Sequence, residues 1–90
     1  MTDKKSVSDI SSMLVFKSSD PMYFECWDQS KVLMGLIKIQ KTKEGFYCQG
    51  DLAHNSQFIP IWEKKVASGQ TLGTFLQDTF DVAEISQINK

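Results

Sequence analysis

Three side chains near the middle of the chain could together perform covalent chemistry: Cys48, Asp51 and His54. A thiol becomes a good nucleophile when a neighbouring base helps to ionise it, and a carboxylate can hold the histidine in the required orientation. However, Cys48 falls within a predicted strand and His54 in a predicted loop, so nothing in the sequence brings the two together. A buried structural cysteine and a solvated histidine are the simpler interpretation. We therefore expect no catalytic residues and a protein that is not an enzyme.

The residues that bind metals are too few and too widely spaced to form a site. Cys26, Cys48 and His54 are the only cysteines and histidine, and their spacing matches no zinc motif. The carboxylates are scattered, without the close spacing of a calcium loop. The chain also lacks the glycine-rich loops that bind nucleotide phosphates and the motif around the serine nucleophile of hydrolases. We expect neither a metal nor a cofactor.

Lysines are concentrated near the middle of the chain, where they could contact nucleic acid. Residues 31–50 have a net charge of +3, from Lys31, Lys38, Lys41, Lys43 and Glu44. Lysines beside aromatic side chains on a sheet often hold a single strand, through phosphate contacts and base stacking. Lys41, Lys43 and Tyr47 are the candidate contacts. Against this, the whole chain has a net charge of −1 and no arginine, and exposed lysines also protect strands from pairing with other chains.

The element that must position these groups is a β-hairpin predicted from Val32 to Leu52. From Ile37 apolar and polar residues alternate, which is the period of a half-buried strand. Lys43–Gly45 interrupts this pattern, and a three-residue loop ending in glycine is a common connection because glycine readily takes a positive φ. Phe46–Gln49 then predicts the second strand of the hairpin.

The first part of this hairpin allows two interpretations. Val32, Leu33, Met34 and Leu36 place apolar side chains on both faces of the strand. Such a strand is either covered on both faces or covered on one face and able to offer the other to a partner. Gly35 leaves a gap in the row, which permits a bulge or the close approach of another backbone.

Two further strands are predicted before the hairpin. Met13–Phe16 is a short apolar run and the first of them, followed by a turn at residues 18–21. Met22–Trp27 is the second strand. Its alternating residues are expected to face opposite ways, Met22, Phe24 and Cys26 on one side and Tyr23, Glu25 and Trp27 on the other. With the hairpin, these strands predict an antiparallel meander.

After the hairpin the apolar residues change to helical spacing. Phe58, Trp62 and Val66 are four residues apart, which predicts a helix that ends near Gly69. A strand over Phe58–Trp62 is the alternative.

A second helix is predicted from Thr71, which is a suitable N-cap. Its apolar face would contain Leu72, Phe75, Leu76 and Phe80. The apolar residues of the last ten positions allow three forms: a continuation of the helix, a last strand, or a segment along the surface.

These elements predict an α+β domain. We expect a small antiparallel meander of about four strands, packed on one face by one or two C-terminal helices. The other face of the sheet is then left to water or to a partner. Residues 13–90 are expected to form this single domain and residues 1–12 a flexible N-terminal arm, in which a short helix from Ser8 is the alternative.

The composition is that of an ordinary small globular protein. Of 90 residues, 41% are hydrophobic and 23% are charged. A chain this short builds a small core, so a large exposed apolar patch would be expected to serve a partner. No apolar run is long enough to span a bilayer, and the N-terminus lacks the apolar segment of a signal peptide. We expect a cytoplasmic protein that does not bind membranes.

Protein binding is the function that the sequence favours. Tyr23, Trp27, Met34 and Lys38 are the candidate contacts, because Trp, Tyr and Met are enriched in the cores of interfaces. Residues 13–30 carry a charge of −2 and residues 31–50 a charge of +3, which favours self-association or a charged partner.

We therefore expect a non-enzymatic interaction module. It would be a small adaptor, inhibitor or accessory protein that binds another protein or pairs with itself as a homodimer. The alternative is a protein that binds single-stranded nucleic acid through residues 31–50 and the neighbouring aromatic side chains. A small domain without arginine would also fit a protein encoded by a phage or a mobile element.

Overall fold

The computed structural model describes residues 4–52 and 62–88, which form one antiparallel sheet and two helices. The strands are β1 Lys5–Ser6, β2 Met22–Trp27, β3 Leu33–Thr42, β4 Gly45–Leu52, β5 Trp62–Val66 and β6 Glu84–Ile88. The helices are α1 Ile10–Met13, preceded by a 3-10 turn at Val7–Asp9, and α2 Gly69–Phe80. The strand order is β1-β6-β2-β3-β4-β5. The α+β class is confirmed, but the sheet has six strands rather than about four.

The core lies between one face of this sheet and α2. Alternation along β2 and β3 buries Phe24, Cys26, Ile37 and Ile39, each at most 1% exposed. The two faces predicted for Met22–Trp27 are therefore confirmed for these residues. The remaining members of the core come from the N-terminal segment, β4, β5, α2, the connection after α2 and the C-terminal strand: Val7, Ile10, Cys48, Leu52, Val66, Leu72, Leu76, Phe80, Val82 and Ile85.

The central hairpin forms as predicted, with a tighter loop. Thr42 pairs with Gly45, so the loop contains only the two residues between them. Gly45 has a φ of 148° and an added Cβ there would lie 2.2 Å from the carbonyl oxygen of Val66. The glycine therefore serves the contact with β5 as well as the turn.

The helix predicted over Phe58, Trp62 and Val66 is wrong for its described part, which is strand β5. Trp62 and Val66 lie on the same face of this strand, where Trp62 stacks against Phe80 at 5.0 Å between ring centroids. Residues four apart share a face in a strand as well as in a helix, so the spacing did not distinguish the two. Phe58 lies outside the described residues, as does most of the alternative strand over 58–62.

Two predictions at the ends of the chain are also resolved. The strand predicted at Met13–Phe16 is wrong: Met13 ends α1, and Phe16 lies in an irregular segment, stacked on Phe46 at 5.9 Å. The place beside β2 is taken instead by β6, where Cys26 pairs with Ile85. Of the three forms considered for the last ten positions, the described part is therefore a strand.

Helix α2 is confirmed, but it begins earlier than predicted. Ser68 is the N-cap, and its hydroxyl accepts a hydrogen bond from the backbone N–H of Thr71 at 3.2 Å. Gly69, expected to end a preceding helix, is therefore the first residue of this one. The helix ends at Phe80, and its C-cap Asp81 has a φ of 58°, which turns the chain toward β6.

The N-terminal segment packs closely against α2 through two glycines. Val7 and Ile10, which belong to the segment expected to be an arm, are 1% and 0% exposed. An added Cβ at Gly69 would lie 2.7 Å from the Cα of Ser11, and one at Gly73 would lie 3.0 Å from the carbonyl oxygen of Val7. The pair of glycines four residues apart thus forms the contact surface for the 3-10 turn and α1.

Replacing Gly69 with alanine is expected to destabilise the domain by about 1–3 kcal/mol, because the methyl group overlaps the backbone of Ser11. Alanine is the better helix former, so the packing contact has to outweigh the gain in helix propensity. Urea unfolding of Gly69→Ala beside Gln70→Ala, an exposed neighbour on the same helix, measures the difference. Equal or greater stability of Gly69→Ala would contradict the close packing.

Candidate interaction surface

The sheet has one face that no described helix covers. We call it the open face: it is the side opposite α2, and strand alternation and register assign its residues. They include Tyr23, Glu25, Trp27, Leu33, Leu36, Lys38, Gln40, Tyr47, Gln49, Asp51, Glu63, Lys65, Glu84 and Ile88, together with the buried Ser86 beside Glu25. Three of the four predicted partner contacts, Tyr23, Trp27 and Lys38, belong to it.

Large apolar side chains stand exposed on this face where β3 begins. Leu33 and Leu36 are each 47% exposed, and the adjoining Val32 is 57% exposed. Leu33 is the register partner of Trp27, so the two lie side by side. Of the two interpretations left open for residues 32–36, the structure supports a strand with one covered face and one uncovered face.

Trp27 is held in place from the N-terminal side. The Lys4 Nζ lies 3.7 Å from the centroid of a Trp27 ring, which is a cation–π contact. The indole Nε1 is buried without a hydrogen-bond partner among the described residues. The tryptophan is therefore half-buried and fixed, with its ring forming part of the floor of the open face.

A cross-strand row at the centre of the face contains Tyr23, Lys38, Gln49 and Glu63 in register. Beside this row is a shallow depression of about 320 Å³, which is also lined by Leu36 and Asp51. Aliphatic, aromatic, amide and charged groups thus meet at one place. Such a mixture favours recognition of a polypeptide surface, which offers both apolar contacts and hydrogen bonds.

Met34 is placed differently from the other predicted contacts. The register between β2 and β3 shifts at Cys26/Trp27, so that Trp27 pairs with Leu33 and Met34 is passed over. Met34 is partly buried and packs against the core. Leu36, which was not among the predicted contacts, is exposed on the open face instead.

The residues predicted to contact nucleic acid do not share one face. Tyr47 is on the open face, where its hydroxyl donates a hydrogen bond to the Glu63 carboxylate. Lys41 alternates to the opposite side of β3, and Lys43 lies in the loop of the hairpin. Both lysines are exposed, so they form a basic tip rather than a row beside an aromatic ring.

Comparisons of the chain with models of known families, with curated proteins and with solved structures found no match. What the open face can bind must therefore be inferred from its own chemistry.

A second cavity borders the open face at Tyr23 and Ile88. It has a volume of about 760 Å³ and runs between the irregular segment after α1 and the ends of β2 and β6, with Val15, Phe16, Met22 and Ile88 in its lining. Val15 is 63% exposed. The apolar run at Met13–Phe16 predicted a strand, so the sequence did not indicate this groove.

Both thiols lie in the core rather than at the surface. Neither cysteine forms a disulfide, and each is fully buried. Burial raises the pKa of Cys48 to about 12; it also raises that of Cys26, to which the nearby Cys48 thiol adds. The predicted base His54 lies outside the described residues. A raised thiol pKa is the opposite of what activates a nucleophilic cysteine.

The two thiols are expected to resist alkylation at pH 8 in the folded protein and to react fully in urea. Stability should also fall as the pH rises from 9.0 toward about 12, because the unfolded thiol ionises at a lower pH than the buried Cys48. Iodoacetamide labelling followed by mass spectrometry measures the first effect. Rapid labelling of Cys48 in the native protein would contradict its burial and favour a reactive thiol.

The described residues contain neither a group of metal-binding side chains nor a membrane-spanning helix. Within residues 4–52 and 62–88, no three His, Cys, Asp or Glu side chains are grouped so that they could hold a metal ion. In the same ranges, no helix is long and apolar enough to cross a membrane.

Proposed function

We propose that the protein is a non-enzymatic interaction module that binds a partner protein through the open face. The observation that carries this proposal is the exposure of Leu33 and Leu36, 47% each, beside Trp27 on a sheet face that no described helix covers. Apolar side chains grouped on an uncovered sheet face lose contact with water when a partner docks, and this burial is the main source of binding free energy.

The open face also has the composition of an interface core. Tyr23 and Trp27 are the residue types that most often carry binding energy, and the cation–π contact of Lys4 pre-orients the indole. A ring fixed before binding loses little conformational entropy when the partner docks. Lys38 and Asp51, at the edge of the depression, would supply charged contacts that set the orientation of the partner.

A role as a small adaptor, inhibitor or accessory protein fits a domain whose exposed features form a contact surface and whose thiols are buried. Such a protein acts by occupying part of its partner's surface. Cytoplasmic location and an origin in a phage or mobile element stay predictions.

The proposal predicts that Tyr23→Ala combined with Trp27→Ala lowers partner affinity by about 30-fold or more, since each truncated hot-spot residue typically costs 1–2 kcal/mol or more. Because Trp27 is half-buried, Leu36→Lys is a second test at an exposed position. Affinity capture from host lysate, quantified against the wild type, is the measurement. Gln77→Lys is the matched control, since Gln77 is exposed on α2, on the opposite side of the sheet.

Capture of the same partner by wild type, Leu36→Lys and the double variant alike would contradict the assignment of the site. Circular dichroism of each variant checks that the fold is retained.

Single-stranded nucleic-acid binding is the second candidate, because Lys38 and Tyr47 share the open face and Lys41 and Lys43 are exposed at the hairpin tip. It predicts binding that weakens steeply with salt and that Lys41→Ala with Lys43→Ala reduces. Fluorescence anisotropy of a labelled oligonucleotide at 20 and 200 mM salt tests it. Absence of binding at low salt would remove this candidate.

A further inference from the structure

Charge on the open face is divided between the two ends of its strands. Glu25, Asp51 and Glu84 lie at the end where β3 begins, with Lys4 as the accompanying cation. This end therefore has a net charge of −2.

The other end, nearer the hairpin loop, is basic. Lys38 and Lys65 stand on the face there, with Glu63 as the accompanying anion, whose carboxylate accepts the Tyr47 hydroxyl hydrogen bond. Just beyond the face, Lys41, Lys43 and Glu44 at the hairpin tip add a net charge of +1. The exposed Leu36 lies in the same cross-strand row as Glu25 and Asp51, next to the row that contains Lys38.

This arrangement is complementary to itself. A two-fold axis that lies in the plane of the interface and crosses the strands brings the acidic end of one copy over the basic end of another. The row of Glu25, Leu36 and Asp51 in one copy then faces the row of Lys38 in the other. A two-fold axis parallel to the strands would instead place acid against acid and base against base. Opposite charges across an interface favour one orientation and disfavour the other.

We propose that the open face pairs with the open face of a second copy of this chain, with Glu25 and Asp51 of each copy close to Lys38 and Lys65 of the other. The inference rests on the proposed function, because both use the same face, and it names the partner. Such a pairing is isologous, as most homodimer contacts are.

The size of the face sets the expected strength of this dimer. Five strands about 5 Å apart and about 17 Å long give a face of roughly 400 Å² in projection, which is at the small end for specific interfaces. We therefore expect a reversible dimer with a dissociation constant on the order of ten micromolar. Because exposed charges contribute, raising the salt from 20 to 500 mM should weaken it several-fold.

The test uses two charge-reversed variants in sedimentation equilibrium. Lys38→Glu with Lys65→Glu gives both ends of the face a net negative charge, and Glu25→Lys with Asp51→Lys gives both ends a net positive charge. Each variant alone should self-associate at least tenfold more weakly than wild type, whereas an equimolar mixture should form a heterodimer at least as strong as the wild-type dimer. Asp78→Lys, on the exposed side of α2, is the control and should dimerise like wild type.

The double variants replace two half-buried side chains, Lys38 and Glu25, and so are expected to lower the stability of the fold. The single replacements Lys65→Glu and Asp51→Lys, both at exposed positions, provide a second pair with the same expected pattern and smaller effects. Thermal melts show which pair of variants stays folded, and that pair is used to judge self-association.

The inference is overturned if the wild type remains a monomer at 1 mM protein and 20 mM salt. It is equally overturned if the variants dimerise like wild type, or if their mixture associates no better than either alone. A monomeric wild type whose capture of another protein is lost in Leu36→Lys would refute self-pairing and leave the proposed function standing. The converse result, an intact charge-swap pattern without capture of any other protein, would restrict the open face to self-association.

Discussion

Replacing Ile37 with lysine is expected to unfold the domain, whereas the same replacement at the adjacent Leu36 is expected to leave it folded. Ile37 is 1% exposed and faces α2, while Leu36 is 47% exposed on the open face. A lysine at Ile37 would bury a charge without a partner, at a cost of more than about 4 kcal/mol. A small domain has a total stability of about 5–15 kcal/mol, so this loss removes most of it.

The adjacent replacement provides its own control. Leu36→Lys exchanges one exposed side chain for another and should change the free energy of unfolding by no more than about 0.5 kcal/mol. Urea denaturation followed by tryptophan fluorescence measures both variants, since Trp62 lies against the core. Comparable losses at the two positions would mean that both faces of β3 are covered, and the open face would then not exist.

Replacing Gly35 with alanine is the second change with a large expected effect. Gly35 has a φ of 150°, a conformation that residues with a side chain rarely adopt. A Cβ at this position would lie 1.8 Å from the carbonyl oxygen of Asp51, which is backbone and cannot rotate away. Since Gly35 is paired with both Cys26 and Leu52, three strands must shift to relieve the overlap. We expect a loss of about 3 kcal/mol or more.

The matched control for this change is Gln49→Ala. Gln49 lies on β4 of the same hairpin and is half-buried on the open face, so removing its side chain should cost about 1 kcal/mol or less. Chemical denaturation of the two variants gives the comparison. If Gly35→Ala proved as stable as Gln49→Ala, the strained backbone and the bulge beside it would be contradicted.

Local sequence patterns were sufficient for some elements. Ile37 and Ile39 alternate with polar residues, and burying one face of the hairpin follows directly from that period. Helix α2 could be predicted because four of its apolar residues repeat at helical spacing. In both cases the pattern is long enough to exclude the other period.

Strand β5 could not be predicted, because a separation of four satisfies both periods. Trp62 and Val66 share a face in either structure, and the residue between them on that face, Lys64, is charged. In the fold, the Lys64 Nζ lies 4.8 Å from the centroid of the Phe75 ring, so the charge is accommodated by a helix that follows later in the chain. Only the tertiary structure provides that contact.

The N-terminal segment shows the same limit. Val7 and Ile10 are buried because Gly69 and Gly73 allow close approach to α2. Those glycines are some sixty positions away in sequence, and a short polar segment gives no indication of so distant a contact. The contact also explains why this segment contains regular structure.

Part of the candidate site could be predicted from the sequence. Tyr23, Trp27 and Lys38 follow from simple alternation and lie on the open face. Met34 does not share that face because it is the extra, unpaired residue of the bulge next to Gly35, and one extra residue shifts the alternation of side chains. Leu36 was not predicted as a contact because the apolar residues before it interrupt the alternation, and this pattern also fits a strand that is covered on both faces.

The most direct test of the open face as the docking surface is site-specific photo-crosslinking in host cells. A benzophenone amino acid replaces the exposed Leu36 on the face, and in a second variant it replaces Asp78 on the exposed side of α2. We predict a covalent adduct with another polypeptide from position 36 and none from position 78, and the adduct mass tells a second copy from a different protein. No adduct from position 36, or the same adducts from both positions, would contradict the open face as the interaction surface.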